Sequence, residues 1–228
     1  MLKQHAGLLI VVCVVAMGLL CLAVTGICSL FSDDKEQKNG KKAEIVKLDG
    51  EIEKLTVDSP PLNVKLLTVN EYSRPGTKLD KVNGIVIHYV GNPGTTALQN
   101  RSYFESLKDT HKTSASSHFV IGMEGEIVQC IPTVEVAYCS NQRNNDTISI
   151  ECCHEKKDGK FSEKTYDSLV HLTAFLCCKY DLEIEDIIRH YDITEKECPK
   201  YYVTHEDKWV QFKKDVAAYI EENSHVSE

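Results

Sequence analysis

The stretch from Ile187 to Pro199 constrains the chain most, because it places reactive side chains directly after a predicted strand. Two β-branched residues open the stretch, and His190, Lys196 and Cys198 follow. An imidazole and a thiol are typical zinc ligands, and a catalytic zinc site needs three protein ligands with one position left open. The third candidate is His88, which lies near the end of another apolar run. The pattern favours a single catalytic zinc site over a zinc ribbon, because the sequence has no Cys-x-x-Cys pair.

Composition and charge limit the class of protein. The chain has 228 residues, of which 42% are apolar and 26% charged, so it can form one catalytic domain with extensions. Its net charge is -8, and its lysines are mixed with acidic residues rather than grouped into a basic run. This distribution argues against a nucleic-acid partner.

Ten cysteines do not form the pattern of a disulfide scaffold. Three lie in the apolar N-terminal run, and four form the adjacent pairs Cys152-Cys153 and Cys177-Cys178. Free cysteine is among the most buried residue types, so we expect these pairs to be small core residues. Spacing leaves open whether Cys130 and Cys139 form a disulfide.

The N-terminal region predicts a membrane anchor followed by a tether. Residues 6–31 carry no charge and exceed the roughly 20 residues that a transmembrane helix needs. A cleaved signal peptide would have a shorter apolar core, so we expect residues 1–31 to form an uncleaved anchor. Residues 32–62 are rich in charge and predict a solvated linker, with a short helical stalk as the alternative. Residues 63–228 then form the globular domain.

Hydrophobic patterns in this domain predict strands and helices in alternation. In the fourth predicted strand, alternation places Ile148 and Ile150 on one face and Glu151 on the other. Thr204 is the expected cap of the last helix. The predicted strands are 84–90, 118–121, 127–131 and 147–152, the middle two forming a hairpin, and the predicted helices are 98–107, one capped by Ser162 and one from about residue 205.

Five short motifs together resemble the zinc-dependent N-acetylmuramoyl-L-alanine amidases, the family of phage endolysins, bacterial autolysins and peptidoglycan recognition proteins. The resemblance covers about residues 64–220 and implies an α/β fold with a mixed central β-sheet flanked by helices, here preceded by one N-terminal transmembrane helix. The motifs are Val-Ile-His-Tyr-Val-Gly-Asn-Pro-Gly (86–94), Ser-Ser-His-Phe-Val-Ile-Gly (116–122), Ile-Ser-Ile-Glu (148–151), Arg-His-Tyr-Asp-Ile-Thr (189–194) and Lys-x-Cys-Pro (196–199).

The resemblance also implies roles for particular residues. Some members have a catalytic tyrosine where this chain has Ser117, which shifts the role of general base to Glu151. Lys196 would stabilise the oxyanion of the tetrahedral intermediate, and zinc would activate the attacking water. The implied zinc ligands are His88, His190 and Cys198.

The substrate that the family implies is peptidoglycan, cleaved between the lactyl group of N-acetylmuramic acid and L-alanine of the stem peptide. We therefore expect a single-pass protein of the cell membrane, acting as a monomer with its catalytic domain outside the cytoplasm. The lysines that follow the anchor favour the opposite orientation, because positive charge usually stays inside. Two other functions remain open: a peptidoglycan-binding module without catalysis, and a peptidase with Cys198 as nucleophile and His190 as base.

Overall fold

The computed structural model describes residues 47–48, 51–52 and 54–226. Within these residues, the strands are β1 (Lys47–Leu48), β2 (Glu51–Ile52), β3 (Leu55–Thr56), β4 (Leu62–Val64), β5 (Ile85–Tyr89), β6 (Phe119–Ile121), β7 (Ile127–Gln129), β8 (Ile148–Cys152), β9 (Ile187–Arg189) and β10 (His225–Val226). The α-helices are α1 (Ala97–Thr110), α2 (Glu163–Tyr180), α3 (Tyr191–Thr194), α4 (Lys200–Thr204) and α5 (Glu206–Asn223), with 3₁₀ turns at Asn141–Arg143 and Ile184–Asp186.

Six strands form one mixed sheet in the order β4-β7-β6-β8-β5-β9. Strands β6 and β7 are antiparallel, which confirms the predicted hairpin, and all other neighbours in this sheet are parallel. The α/β fold with a mixed central sheet is therefore confirmed. The parallel strands β8, β5 and β9 lie side by side, so their carboxyl ends meet at one edge of the sheet.

Helices cover both faces of this sheet. On one face, residues of α2 and α5 pack against Ile87 of β5 and Ile148 and Ile150 of β8. On the other face, α1 contributes Phe104 to a smaller cluster with Val120 and other residues of β6 and β7. Burial of apolar side chains on both faces is typical of parallel strands that are joined by helical crossovers.

The helix starts agree only partly with the predicted caps. Ser162 caps α2 as predicted, because its hydroxyl accepts from the backbone N–H of Thr165. The predicted cap of the last helix is wrong. Thr204 is the last residue of α4, where its hydroxyl donates to the carbonyls of Lys200 and Tyr201, and α5 begins without a side-chain cap.

Residues that pack on the domain begin before residue 63, which is the first residue of the predicted globular domain. Strand β3 pairs with β10 near the C-terminus, and Val57 is 2% exposed. Leu62 belongs to β4 and pairs with Ile127 in the central sheet. The apolar side chains that end the charged region therefore pack onto the domain, although the surrounding lysines and glutamates resemble those of a tether.

The predicted anchor, residues 1–31, lies outside the described residues. Among the residues that the structure describes, no helix combines the length and apolar character needed to cross a bilayer.

Most of the cysteines that the structure describes are core residues. Cys152, Cys153, Cys177 and Cys178 are buried and free, as predicted for the two adjacent pairs. The Cys130–Cys139 disulfide that the spacing left open does not form: both thiols are free. Cys130 packs in the smaller core cluster, whereas the Cys139 thiol faces the carboxyl group of Glu151.

Candidate active site

The candidate site lies at the carboxyl ends of three parallel strands. His88 in β5 is paired in register with Glu151 in β8, so their side chains emerge on the same face of the sheet. His190 follows the last residue of β9, and Cys198 follows α3. The carboxyl edge of parallel strands is the usual place for a binding site in open α/β sheets.

The three predicted ligands come together. The ligand atoms of His88, His190 and Cys198 all lie within 4.8 Å of one another, and all three residues are buried. The Cys198 Sγ is 3.8 Å from the His88 Nδ1, and the centroids of the two imidazole rings are 4.7 Å apart. Two imidazoles and one thiol are a donor set that suits zinc, and a set of three leaves one position open for catalysis.

In the metal-free protein, burial determines the protonation states of His88, His190 and Cys198. It lowers the pKa of His88 and His190, an effect strengthened by the nearby charge of Lys196, so both imidazoles are neutral and can offer a lone pair. Burial, together with the negative charge of Glu151, raises the pKa of Cys198 to about 12. Cys198 would therefore have to lose its thiol proton in order to hold a metal ion.

Glu151 is poised for proton transfer. Burial raises the pKa of its carboxyl to about 7, although the charge of Lys196 opposes this shift. Its Oε1 accepts from the Cys139 thiol at 3.7 Å, while its buried Oε2 has no hydrogen-bond partner among the described residues. A carboxyl with a pKa near neutral pH and an open lone pair can act as a general base.

Lys196 is exposed and lines the same cleft, which has a volume of about 240 Å³. The cleft is also lined by His88, Glu151, His190 and Cys198. The structure thus brings all five predicted site residues together. Ser117, in contrast, is buried and donates to the carbonyls of Phe119 and Ser149.

The sequence patterns did not identify three residues of this site. Cys139 contacts Glu151, Ser140 contacts His88, and Asn141 contacts His190. They are consecutive, but 49 and 52 residues separate Asn141 and Ser140 from the histidines that they contact. Neither hydrophobic period nor spacing could identify them, because their contacts exist only in the folded domain.

Comparison with known proteins identifies relatives of this domain. Residues 78–201, which include all five predicted site residues, match the family model described as N-acetylmuramoyl-L-alanine amidase. The N-acetylmuramoyl-L-alanine amidase CwlL of Bacillus licheniformis is 38% identical over 165 residues, which are 67% of this chain and 45% of CwlL. The N-acetylmuramoyl-L-alanine amidase BlyA of Bacillus subtilis (strain 168) is 37% identical over 173 residues, covering 67% of this chain and 46% of BlyA. The chain thus spans less than half of the length of these relatives.

The fold is also similar to solved structures. A mutant endolysin from Bacillus subtilis superposes with a TM-score of 0.59 at 26% identity, covering 68% of this chain and 98% of the endolysin. The region that superposes is therefore almost the whole of that endolysin chain.

Proposed function

Because the chain belongs to the N-acetylmuramoyl-L-alanine amidase family, we propose that it hydrolyses the amide bond between the lactyl group of N-acetylmuramic acid and L-alanine of the peptidoglycan stem peptide. The observation that carries this proposal is the convergence of two neutral imidazoles, one thiol and a carboxyl of raised pKa on one cleft. The names of the relatives support this class of reaction.

The donor set predicts a zinc site. His88, His190 and Cys198 would hold the ion, since all three donors are buried and close together. When bound there, zinc supplies a Lewis acid that polarises the scissile carbonyl and lowers the pKa of the attacking water.

The remaining chemistry belongs to the side chains of the cleft. Glu151 takes a proton from the attacking water and delivers it to the leaving nitrogen, as its pKa of about 7 allows both steps near neutral pH. Lys196 places a positive charge beside the developing oxyanion.

Because all five site residues belong to one chain, we infer that the protein acts as a monomer. Sedimentation equilibrium can test this inference.

The peptidase alternative has less support from the site. A nucleophilic cysteine needs a lowered pKa, whereas burial and Glu151 raise the pKa of Cys198 to about 12. The binding-module alternative leaves the raised pKa of the buried Glu151 carboxyl without a role.

Digestion of purified peptidoglycan is expected to release free stem peptides that begin at L-alanine, and mass spectrometry of the products identifies them. A chelator should stop their release, and added zinc should restore it. Products cut within the stem peptide and insensitive to chelator would instead identify a peptidase. Binding of peptidoglycan without any cleavage, by protein loaded with zinc, would identify a binding module.

We also propose that residues 1–31 anchor the domain to the cell membrane and that the domain lies outside the cytoplasm. The proposal is supported by the uncharged run from residue 6 to residue 31 and by the location of the substrate. Protease added to intact, wall-stripped cells is expected to release or degrade the domain. A cytoplasmic protein should remain intact in the same sample as a control for lysis. Protection until the membrane is permeabilised would show the reverse orientation, which the lysines after the anchor favour.

A further inference from the structure

The segment Cys139–Asn141, between β7 and β8, contacts the functional residues of the site from one side. Each of its three residues contacts a different functional side chain. The contacts join Cys139 Sγ to Glu151 Oε1 at 3.7 Å, Ser140 Oγ to His88 Nε2 at 3.3 Å, and Asn141 Oδ1 to His190 Nε2 at 2.8 Å.

This segment is itself held in place. The side-chain oxygen of Asn144 accepts from the backbone N–H groups of Cys139 and Ser140 at 3.0 and 2.6 Å. The Gln142 Nε2 donates to the carbonyl of Ile193 in α3 at 3.1 Å. The segment is therefore fixed both to its own turn and to the helix that follows His190, so it can hold a side chain in a defined orientation.

The contact of Asn141 has a chemical consequence for His190. An amide oxygen can only accept a hydrogen bond, so the Nε2 of a neutral His190 carries the proton. Its Nδ1 then retains the lone pair that a metal ion requires. His88 has the matching arrangement, since its Nε2 lies next to Ser140 and its Nδ1 is 3.8 Å from the Cys198 Sγ.

We propose that Asn141 is a positioning residue that selects the tautomer and ring orientation of His190 for zinc binding. This inference rests on the proposed function in one respect only, that zinc binds to the His88, His190 and Cys198 trio. Hydrogen bonds of this kind to ligand histidines typically change metal affinity by about 10- to 100-fold. Asn141 acts through His190, because its amide oxygen bonds to the ring nitrogen opposite the one left for the metal.

Backbone conformation at Asn141 determines which variants test this role. Its φ is 51°, in the left-handed region that glycine, asparagine and aspartate tolerate best. Asn141→Gly therefore removes the acceptor without adding backbone strain, and Asn141→Asp retains an acceptor at the same place. Asp181→Gly is the matched control, because Asp181 is another left-handed residue (φ 55°), located at the end of α2.

The test measures the zinc dissociation constant of the full chain by competition with a chromophoric chelator. We expect Asn141→Gly to bind zinc about 10- to 100-fold more weakly, and Asn141→Asp to bind within a few-fold of the unsubstituted protein. Asp181→Gly should bind as the unsubstituted protein does. The visible absorption spectrum of the cobalt-substituted protein should change in Asn141→Gly alone, since it reports ligand geometry.

Long-range ¹H–¹⁵N NMR of the unsubstituted, metal-free protein provides a test that needs no variant to fold. We expect the Nε2–H tautomer at His190, and the Nδ1–H tautomer would overturn the inference. Unchanged zinc affinity in a folded Asn141→Gly protein would overturn it as well. Failure of the unsubstituted protein to bind zinc would instead overturn the proposed function, so the two failures are distinguishable.

Discussion

The Cys198→Ser protein is expected to lose zinc and hydrolase activity together. Cys198 is 2% exposed, and its Sγ lies 3.8 Å from the His88 Nδ1, so the thiol faces the centre of the donor set. A serine hydroxyl does not ionise near neutral pH and is a poor ligand for zinc, unlike a thiolate. The loss of zinc affinity should exceed the roughly 10- to 100-fold typical of residues that only orient a ligand. Elemental analysis of the purified protein and a peptidoglycan digestion assay measure the two losses.

Cys130→Ala is the matched control for this substitution. Cys130 is an equally buried free thiol, but it packs in the smaller core cluster under α1 and contacts the carbonyl of Val128. Its removal should leave the zinc content unchanged. The small cavity that it creates should lower the stability of the fold modestly. His88→Ala and His190→Ala should repeat the result of Cys198→Ser. Full zinc occupancy in a folded Cys198→Ser protein would exclude Cys198 as an essential ligand.

Local patterns in the sequence predicted most of the sheet and placed the candidate ligands at strand ends. Alternation along β8 placed Ile148 and Ile150 in the core and Glu151 on the opposite face, because side chains of a strand alternate regardless of the fold. Likewise, the apolar runs before His88 and His190 form β5 and β9, which are neighbours in the sheet. The positions of these residues at predicted strand ends already suggested grouping His88 with His190 and Cys198, and the resemblance to one known family supported that grouping.

Features that depend on tertiary contacts were not predictable. Val57 packs on the domain because β3 pairs with β10 near the C-terminus, a partner that the charged composition of residues 32–62 does not indicate. Thr204 has the residue type of a helix cap, but the short α4 ends at this position and its hydroxyl bonds back to that helix. Asn141 is an ordinary turn residue in the sequence, and only the fold brings its amide to His190.

The Glu151→Gln protein is expected to keep its zinc and its affinity for peptidoglycan fragments while its turnover falls by about 10²- to 10⁴-fold, the usual contribution of a general base. Glutamine preserves the shape of the side chain but cannot take a proton from water. Glu151 is not one of the three proposed ligands His88, His190 and Cys198, so the substitution should leave zinc bound. Steady-state turnover with zinc content measured on the same sample tests both statements.

Glu155→Gln makes the same chemical change at an exposed position outside the cleft and should leave turnover unchanged. Comparison of the two variants separates the loss of a base from the loss of one negative charge on the protein. A fall in turnover that accompanies a fall in zinc content would assign Glu151 to the metal site instead, since its carboxyl, His88 and Cys139 also lie within 4.8 Å of one another. Near-normal turnover in zinc-loaded Glu151→Gln protein would exclude Glu151 as the base. Proton transfer would then have to proceed without this carboxyl, and Lys196 would be the ionisable side chain of the cleft to substitute next.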